Sequence, residues 1–222
     1  MSVEAVGFVP AAPLLVPAVA AGSAEADADL RAACRTVVRD LVAAVGDGEI
    51  VVVGPAAASG GADATWDFLG FGVPRADRGP RAVLPWPLGI GAWLLDDAGW
   101  NGPRSYLGVA SPEAAAWRPS TGAQALLLVG DGTNCRTEKA PGYFDARAEG
   151  FDQQVVHCLA AGDLAGLAEL DPELADELGS AGAAVWRWLG AAVGPVDITK
   201  AVLLADAAPY GVGYFAALWS VG

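Results

Sequence analysis

The stretch "ALLLVGDGTNCRTEKAPGYFD", residues 125–145, joins an apolar run to a loop that is crowded with reactive side chains. Residues 125–129 form a short, continuous apolar run, which is typical of a strand buried on both faces. Similar runs lie at residues 3–9, 49–53 and 201–205, with helical patterns between them. This alternation predicts an α/β layered fold of one domain, residues 1–222, in which a central, mostly parallel or mixed sheet carries helices on both faces.

The remaining elements follow from apolar spacing and turn residues. Two more strands are predicted at residues 104–109 and 212–218, and spacings of three and four predict helices at 23–45, 88–97, 111–117, 151–162, 163–170, 172–178 and 181–193. Trp186 and Trp188 are two positions apart on the last helix, so we expect one of them at a subunit interface or a pocket rim. Residues 60–87, rich in Gly, Pro and Asp, predict an irregular excursion that serves as a pocket wall or lid.

Charge and composition exclude several classes of partner. The net charge of −13 repels nucleic acid and anionic membrane surfaces, so neither is an expected partner. No apolar run approaches about 20 residues, and the N-terminus lacks a basic region and is interrupted by prolines, so we expect neither a membrane span nor a signal peptide. The three cysteines form no CxxC pair, which fits free thiols and a cytoplasmic protein.

The residues that follow the strands matter most, because ligands of α/β sheets bind beyond the carboxyl ends of the strands. Four such exits are predicted, at residues 10–13, 54–57, 130–134 and 206–209, and only the third is rich in functional groups. The candidate binding residues near these exits are polar or aromatic: Asp131, Thr133, Asn134, Arg136, Lys139, Tyr143 and Tyr210.

Basic residues of the third exit allow two interpretations. Arg136, Lys139 and Arg147 either hold a small carboxylate or phosphate, or pair with nearby acidic residues and so fix the loop. Arg136 and Lys139 would also lower the pKa of Cys135 if they approached it, which would make this residue a possible nucleophile. The alternative for Cys135 is an accessible thiol without a catalytic role.

Three segments in this order resemble a known family: "FVPAAPLLVP" at 8–17, "LLLVGDGTNCRTEKAPGYFDARAEGFD" at 126–152 and "APYGVGYFAALW" at 208–219. They are similar to the Pro-His-Pro-Pro-Leu-Leu opening, the Gly-Asp-x-Ser-His and Ala-Pro-Gly-Tyr segment, and the closing Gly-Val-Gly-Tyr strand of the class III extradiol ring-cleavage dioxygenases, the LigB-like family. The resemblance covers nearly the whole chain and implies the fold of that family.

The resemblance also implies where the family's catalytic groups fall in this sequence. The family binds ferrous iron through two histidines and a glutamate, and a third histidine acts as acid and base. The two metal histidines fall on Ala11 and Ala56, the glutamate on Ala207 and the acid/base histidine on Asn134. We therefore expect no iron site and no cofactor. Asp206 is expected to point away from the site, since neighbouring strand residues face opposite sides, and the single histidine, His157, is expected on an exposed helix surface.

Three functions remain open on this basis. The first is a pseudoenzyme that uses the former crevice to bind a small aromatic or anionic ligand or a protein. The second is a metal-independent enzyme, such as a hydrolase or lyase, that uses Asp131 or Cys135. The third is a structural subunit with a filled site that assembles with itself or with a homologous subunit.

Overall fold

The computed structural model describes residues 2–20, 27–73, 82–110, 122–194 and 196–222. Within these ranges the strands are β1 Ser2–Val9, β2 Glu49–Gly54, β3 Arg104–Gly108, β4 Ala123–Val129, β5 Ile198–Ala207 and β6 Tyr214–Val221. The helices are α1 Pro17–Ala20, α2 Ala28–Val45, α3 Trp86–Asp97, α4 Ala148–Ala161, α5 Leu164–Ala168, α6 Pro172–Glu177 and α7 Gly182–Ala192. The helix expected at 111–117 lies outside the described residues, as do the residues before Asp27 in the helix expected at 23–45.

All six strands form one mixed sheet in the order β3-β2-β4-β1-β6-β5. β1 pairs with β4, and β2 pairs with both β3 and β4, in parallel; β6 is antiparallel to its two neighbours, β1 and β5. The strands β1 to β5 therefore share one direction, and their carboxyl ends lie along the same edge of the sheet. This confirms the predicted α/β fold with a mixed sheet.

Helices cover both faces of this sheet, and the strands supply each face with alternate residues. On one face, side chains such as Ile50, Val52 and Leu127 form a core with α2 and α3. On the other face, side chains such as Val51 and Leu126 form a second core with α4, α5, α6 and α7. Burial on both sides explains why the central strands are continuous apolar runs in the sequence.

The last helix, α7, is buried more completely than its sequence indicates. Trp186 and Trp188 are both only 1% exposed, so the expectation that one of them lies at an interface or a pocket rim is wrong. Two sides of α7 are covered within the chain, because the helix packs against β4 on one side and against α5 and α6 on the other. The two indoles lie on different faces of the helix, yet both faces are internal.

The irregular segment around residues 60–87 packs over the outer end of the sheet. In its described part, Phe68 is fully buried and stacks on Trp66, whose indole Nε1 donates to Asp96 of α3. Trp66 also lines a small cavity of about 260 Å³ together with Pro103 and Arg104, which lie at the amino end of β3. The described part of this segment therefore lies along the edge strand β3, where Gly60 pairs with Tyr106, and against α3.

Candidate functional site

The carboxyl ends of β1 and β4 meet because the two strands are parallel neighbours. The backbone N–H of Ala11, just after β1, donates to Oδ1 of Asp131, just after β4, with 2.7 Å between nitrogen and oxygen. Desolvation of the partly buried carboxyl raises the pKa of Asp131 to about 7, and the hydrogen bond from Ala11 offsets part of that rise. Asp131 thus changes its charge near neutral pH.

A second carboxylate, Asp27, lies near Asp131. The hydroxyl of Tyr210 donates to Oδ2 of Asp27 at 3.0 Å, whereas the buried Oδ1 accepts no hydrogen bond from the described residues. Burial, together with the negative charges of Asp131 and Asp27, raises the pKa of Tyr214 well above its usual range. Asp27, Asp131, Tyr210 and Tyr214 therefore form an acidic cluster beside Ala11, the position to which the resemblance assigns a metal histidine. Only Asp131 and Tyr210 of this cluster were predicted from the sequence.

The loop after β1 is fixed to α2 by a buried arginine. Arg31 donates from Nε to the carbonyl of Leu15 at 3.0 Å and from Nη2 to the carbonyl of Leu14 at 3.1 Å. Burial raises the pKa of Cys34, one turn further along α2, to about 12, so this thiol stays protonated. These contacts hold the loop that carries Ala11 against the helix.

Thr133 and Arg136 meet at a different point, the buried carboxylate of Asp152 on α4. The backbone N–H and the hydroxyl of Thr133 donate to the two oxygens of Asp152, at 2.9 and 3.0 Å. Nη1 of Arg136 lies 3.7 Å from Oδ2 of Asp152. Desolvation nonetheless raises the pKa of Asp152 to about 6, and the two bonds from Thr133 limit the rise. This arrangement fastens the loop to α4.

Two of the three basic residues, Arg136 and Arg147, pair with acidic residues as the second interpretation predicts. Arg136 also contacts Glu149, and Arg147 forms ion pairs with Asp145 and Glu177. Arg136 and Arg147 therefore stabilise the loop through its own acidic neighbours.

Asn134, to which the resemblance assigns the place of the acid/base histidine, is confined by two glycines. Its side-chain amide lies so close to Gly142 and Gly179 that a Cβ atom on either glycine would overlap with it. Its backbone N–H donates to the carbonyl of Leu178, and its carbonyl accepts from Gly142. The amide is thus part of the packing between the loop and the turn that follows α6.

Cys135 is neither accessible nor activated, so both expectations for it are wrong. The residue is 2% exposed, and its thiol donates to the carbonyl of Leu178 at 3.3 Å. Burial raises the pKa of Cys135, and the negative charges of Asp145 and Asp152 raise it further. The cation that acts on it is Arg147, in place of the expected Arg136 and Lys139. His157, as predicted, lies exposed on its helix.

The two remaining candidates, Lys139 and Tyr143, lie on the outer surface, and Tyr210 of the acidic cluster is also partly exposed there. Lys139 and Tyr210 line a surface cavity of about 510 Å³ together with Thr137, Glu138 and Pro209. Tyr143 is 81% exposed and has a backbone φ of 61°. The seven predicted binding residues are therefore divided among the acidic cluster, the Asp152 contacts, the packing around Asn134 and the outer surface.

The residues at the positions to which the resemblance assigns the metal ligands do not fit ferrous iron. Ala11, Ala56 and Ala207 offer only methyl groups, and the amide of Asn134 is held between two glycines. No group of three or more His, Cys, Asp and Glu side chains in the described ranges could hold a metal ion. Asp206, next to Ala207, is exposed on β5, which is separated from β1 by β6.

A cavity of about 610 Å³ lies beyond the carboxyl ends of β2 and β3. Its walls include Ala56 after β2, Val109 after β3 and Ala184 on α7, so most of the lining is small and apolar. Arg187 of α7 also lines the cavity, and its buried Nε has no hydrogen-bond partner among the described residues. Arg187 could not be predicted from the sequence, because the residue stands between two tryptophans on a helix and is not near any strand exit in the sequence.

Comparisons with known proteins add no assignment to this geometry. No model of a known protein family matches the chain, and no curated protein matches it significantly. None of the helices in the described ranges is long and apolar enough to cross a membrane.

Proposed function

We propose that this protein is a metal-free relative of the extradiol ring-cleavage dioxygenases that binds a small organic molecule in the cavity next to Ala56. The observation that carries the proposal is this cavity of about 610 Å³ at the carboxyl edge of the sheet. Its volume is in the range of small-molecule sites, and α/β sheets bind ligands at this edge. Small side chains at Ala56 and Ala184 leave room for a ligand where a filled site, as in a structural subunit, would have none.

Filling the cavity tests the proposal directly. Ala56→Trp and Ala184→Trp each introduce an indole into the cavity, whereas Ala44→Trp introduces one on the exposed surface of α2. We expect a fragment library screened by ligand-observed NMR to contain compounds that bind the parent protein and Ala44→Trp but neither cavity variant. A screen without such compounds would refute the proposal.

The absence of dioxygenase activity is a separate part of the proposal. Ferrous iron requires imidazole and carboxylate ligands that Ala11, Ala56 and Ala207 lack. We expect protein that is loaded anaerobically with Fe(II) to show neither stoichiometric binding nor ring-opened product with catechols. Observation of both would contradict the proposal.

A second candidate function is acid/base catalysis by Asp131 without a metal. It is favoured by the pKa of this carboxyl, about 7, since a group that titrates near neutral pH can both take up and release a proton. Any hydrolase or lyase activity that depends on Asp131 should change with an apparent pKa near 7 and be lost in Asp131→Asn. An activity that survives this substitution would exclude this role.

We further propose a cytoplasmic location and assembly with itself or with a homologous subunit. Three free, buried cysteines support the first proposal, because they fit a reducing compartment. Light scattering coupled to size-exclusion chromatography tests self-assembly, which a purely monomeric mass would refute.

A further inference from the structure

We infer that Arg187 is the anchoring residue of the cavity next to Ala56 and that the ligand carries a single carboxylate on an apolar body. This inference rests on the proposed function, because it requires the cavity to be a binding site. It specifies both the residue that recognises the ligand and the chemical class of that ligand.

The position of Arg187 is fixed by its neighbours on α7. Trp186 and Trp188, on either side of it in the sequence, are almost fully buried. The two indoles determine how the helix is rotated about its axis, and the side chain of Arg187 lines the cavity between the strand exits and α6. A rigid helix that is anchored on both sides holds the guanidinium more firmly than a loop would.

Arg187 has no partner within the described part of the chain. Its Nε is buried and makes no hydrogen bond, and no ion pair joins the guanidinium to a described carboxylate. Glu173 and Asp176 line the same cavity, but both are exposed and neither forms an ion pair with Arg187. A buried guanidinium N–H without a partner costs free energy in the folded protein. An anion bound in the cavity would give the guanidinium the charged partner that the described carboxylates do not provide.

The shape of the guanidinium and the walls of the cavity define the ligand. A guanidinium donates two parallel hydrogen bonds to a planar carboxylate, and this pairing is stronger than a hydrogen bond between neutral groups. Ala56, Val109 and Ala184 surround the rest of the volume with apolar surface. The negative charges of Glu173 and Asp176 oppose ligands with several negative charges, such as phosphate esters. A monocarboxylate with an apolar body satisfies all three conditions.

Two probes of the same shape test the charge requirement. The first is 3-phenylpropanoate and the second is its neutral amide, 3-phenylpropanamide, each titrated into the full-length protein at low salt and followed by NMR. We expect the carboxylate to bind about tenfold or more tightly than the amide, which is the effect expected when a hydrogen bond gains a charged acceptor.

Three variants test the residue. Arg187→Met removes the guanidinium but keeps an apolar side chain of similar length, and it should reduce carboxylate affinity about tenfold or more. Arg187→Lys keeps the charge but loses the planar fork, so we expect an intermediate affinity. Arg39→Met makes the same change of charge at an exposed arginine of α2 and should leave affinity unchanged. Thermal unfolding of each variant verifies that it is folded, and Arg187→Met should be no less stable than the parent.

The possible outcomes separate this inference from the proposed function. Equal affinity for the acid and the amide, or unchanged affinity in Arg187→Met, would overturn the role of Arg187. The proposed function would stand in that case if Ala56→Trp abolished binding of the same probes. Failure of both probes to bind at millimolar concentration would overturn the inference, while uncharged fragments that are sensitive to Ala56→Trp would preserve the proposed function.

Discussion

Asp131 accepts a hydrogen bond from the backbone N–H of Ala11, a residue 120 positions earlier in the chain. The bond connects the exits of the two central parallel strands at the place where the resemblance implies a metal histidine. In a protein with that histidine, an imidazole would extend from position 11; here, only the backbone N–H of that residue contacts the aspartate. Burial desolvates the carboxyl and raises its pKa to about 7, whereas the hydrogen bond from Ala11 lowers that pKa.

This elevated pKa predicts that Asp131 makes stability fall as pH rises. The folded carboxyl has a pKa of about 7, whereas an unfolded aspartate has one of about 3.9, so the folded state holds an extra proton between these values. Stability should therefore decrease from about pH 4 to about pH 7, by no more than about 1.4 kcal/mol per pH unit from this group. Asp131→Asn should lack this decrease. Urea unfolding of both proteins from pH 4.5 to 7.5 measures the difference.

The comparison of the parent protein with Asp131→Asn also controls for the titration of other buried carboxyls. Asp152, with a pKa raised to about 6, also favours the folded state at low pH, but it does so equally in both proteins. Its contribution is removed when the two unfolding free energies are subtracted. If the curves of the parent and Asp131→Asn ran parallel over this range, Asp131 would have an ordinary pKa.

The three cysteines should be unreactive in the native state. Burial raises the pKa of each thiol, to about 12 for Cys34, and each side chain is almost fully buried. Because the thiolate is the reactive form, we expect a colorimetric disulfide reagent at pH 8 to label the folded protein slowly and three thiols rapidly in denaturant. A fast native reaction that disappears in Cys135→Ala would contradict this and would support a thiol catalyst.

Removal of the Asp152 carboxylate should be strongly destabilising. Asp152→Ala deprives the buried N–H and hydroxyl of Thr133 of their acceptors, and we expect a loss of about 2–4 kcal/mol in the free energy of unfolding. Glu149→Ala removes the other acidic partner of Arg136. Because the side chain of Glu149 is 73% exposed, this substitution should lower the free energy of unfolding by less than about 0.5 kcal/mol. Denaturant titration of both variants decides the matter: similar losses would mean that Asp152 is no more than a surface partner of Arg136.

The strained backbone at Tyr143 predicts a substitution that does not lower stability. Its φ of 61° lies in the left-handed region, which glycine adopts without strain. Because the side chain is 81% exposed, Tyr143→Gly should leave stability unchanged or raise it by up to about 1 kcal/mol. Phe144→Gly, at the exposed neighbour with an ordinary φ, should lower stability. A loss in Tyr143→Gly equal to that in Phe144→Gly would show that Tyr143 makes a stabilising contact.

The sheet could be predicted from sequence because its central strands are buried by both helical layers. Val51, Val52 and Leu126 to Leu128 stand in unbroken apolar runs for this reason. The edge strand β5 is half exposed, and its predicted range, 201–205, is shorter than the observed Ile198–Ala207 because its polar ends resemble loop.

The candidate site was less predictable, because its groups depend on packing between distant segments. Asp27 occupies the position just before α2, where a carboxylate ordinarily caps a helix. Its side chain makes no cap hydrogen bond and accepts one from Tyr210 instead, which lies 183 positions away. Arg187 likewise gains its significance only from α6 and the exits of β2 and β3. Local sequence patterns contain no information about such contacts.

The antiparallel strand β6 determines the order in which parts of the sheet come apart. Among the described strands, β5 pairs with β6 alone, whereas β6 pairs with both β5 and β1. Amide protons of β5 can therefore exchange with solvent through a local opening that leaves the other strands intact. The amides of β6 become free only if β5 also detaches or if the sheet separates between β6 and β1. Tyr214 belongs to β6 and Asp131 follows β4, so these two members of the acidic cluster lie on the protected side of this boundary, and Ala207 lies on the side that opens first.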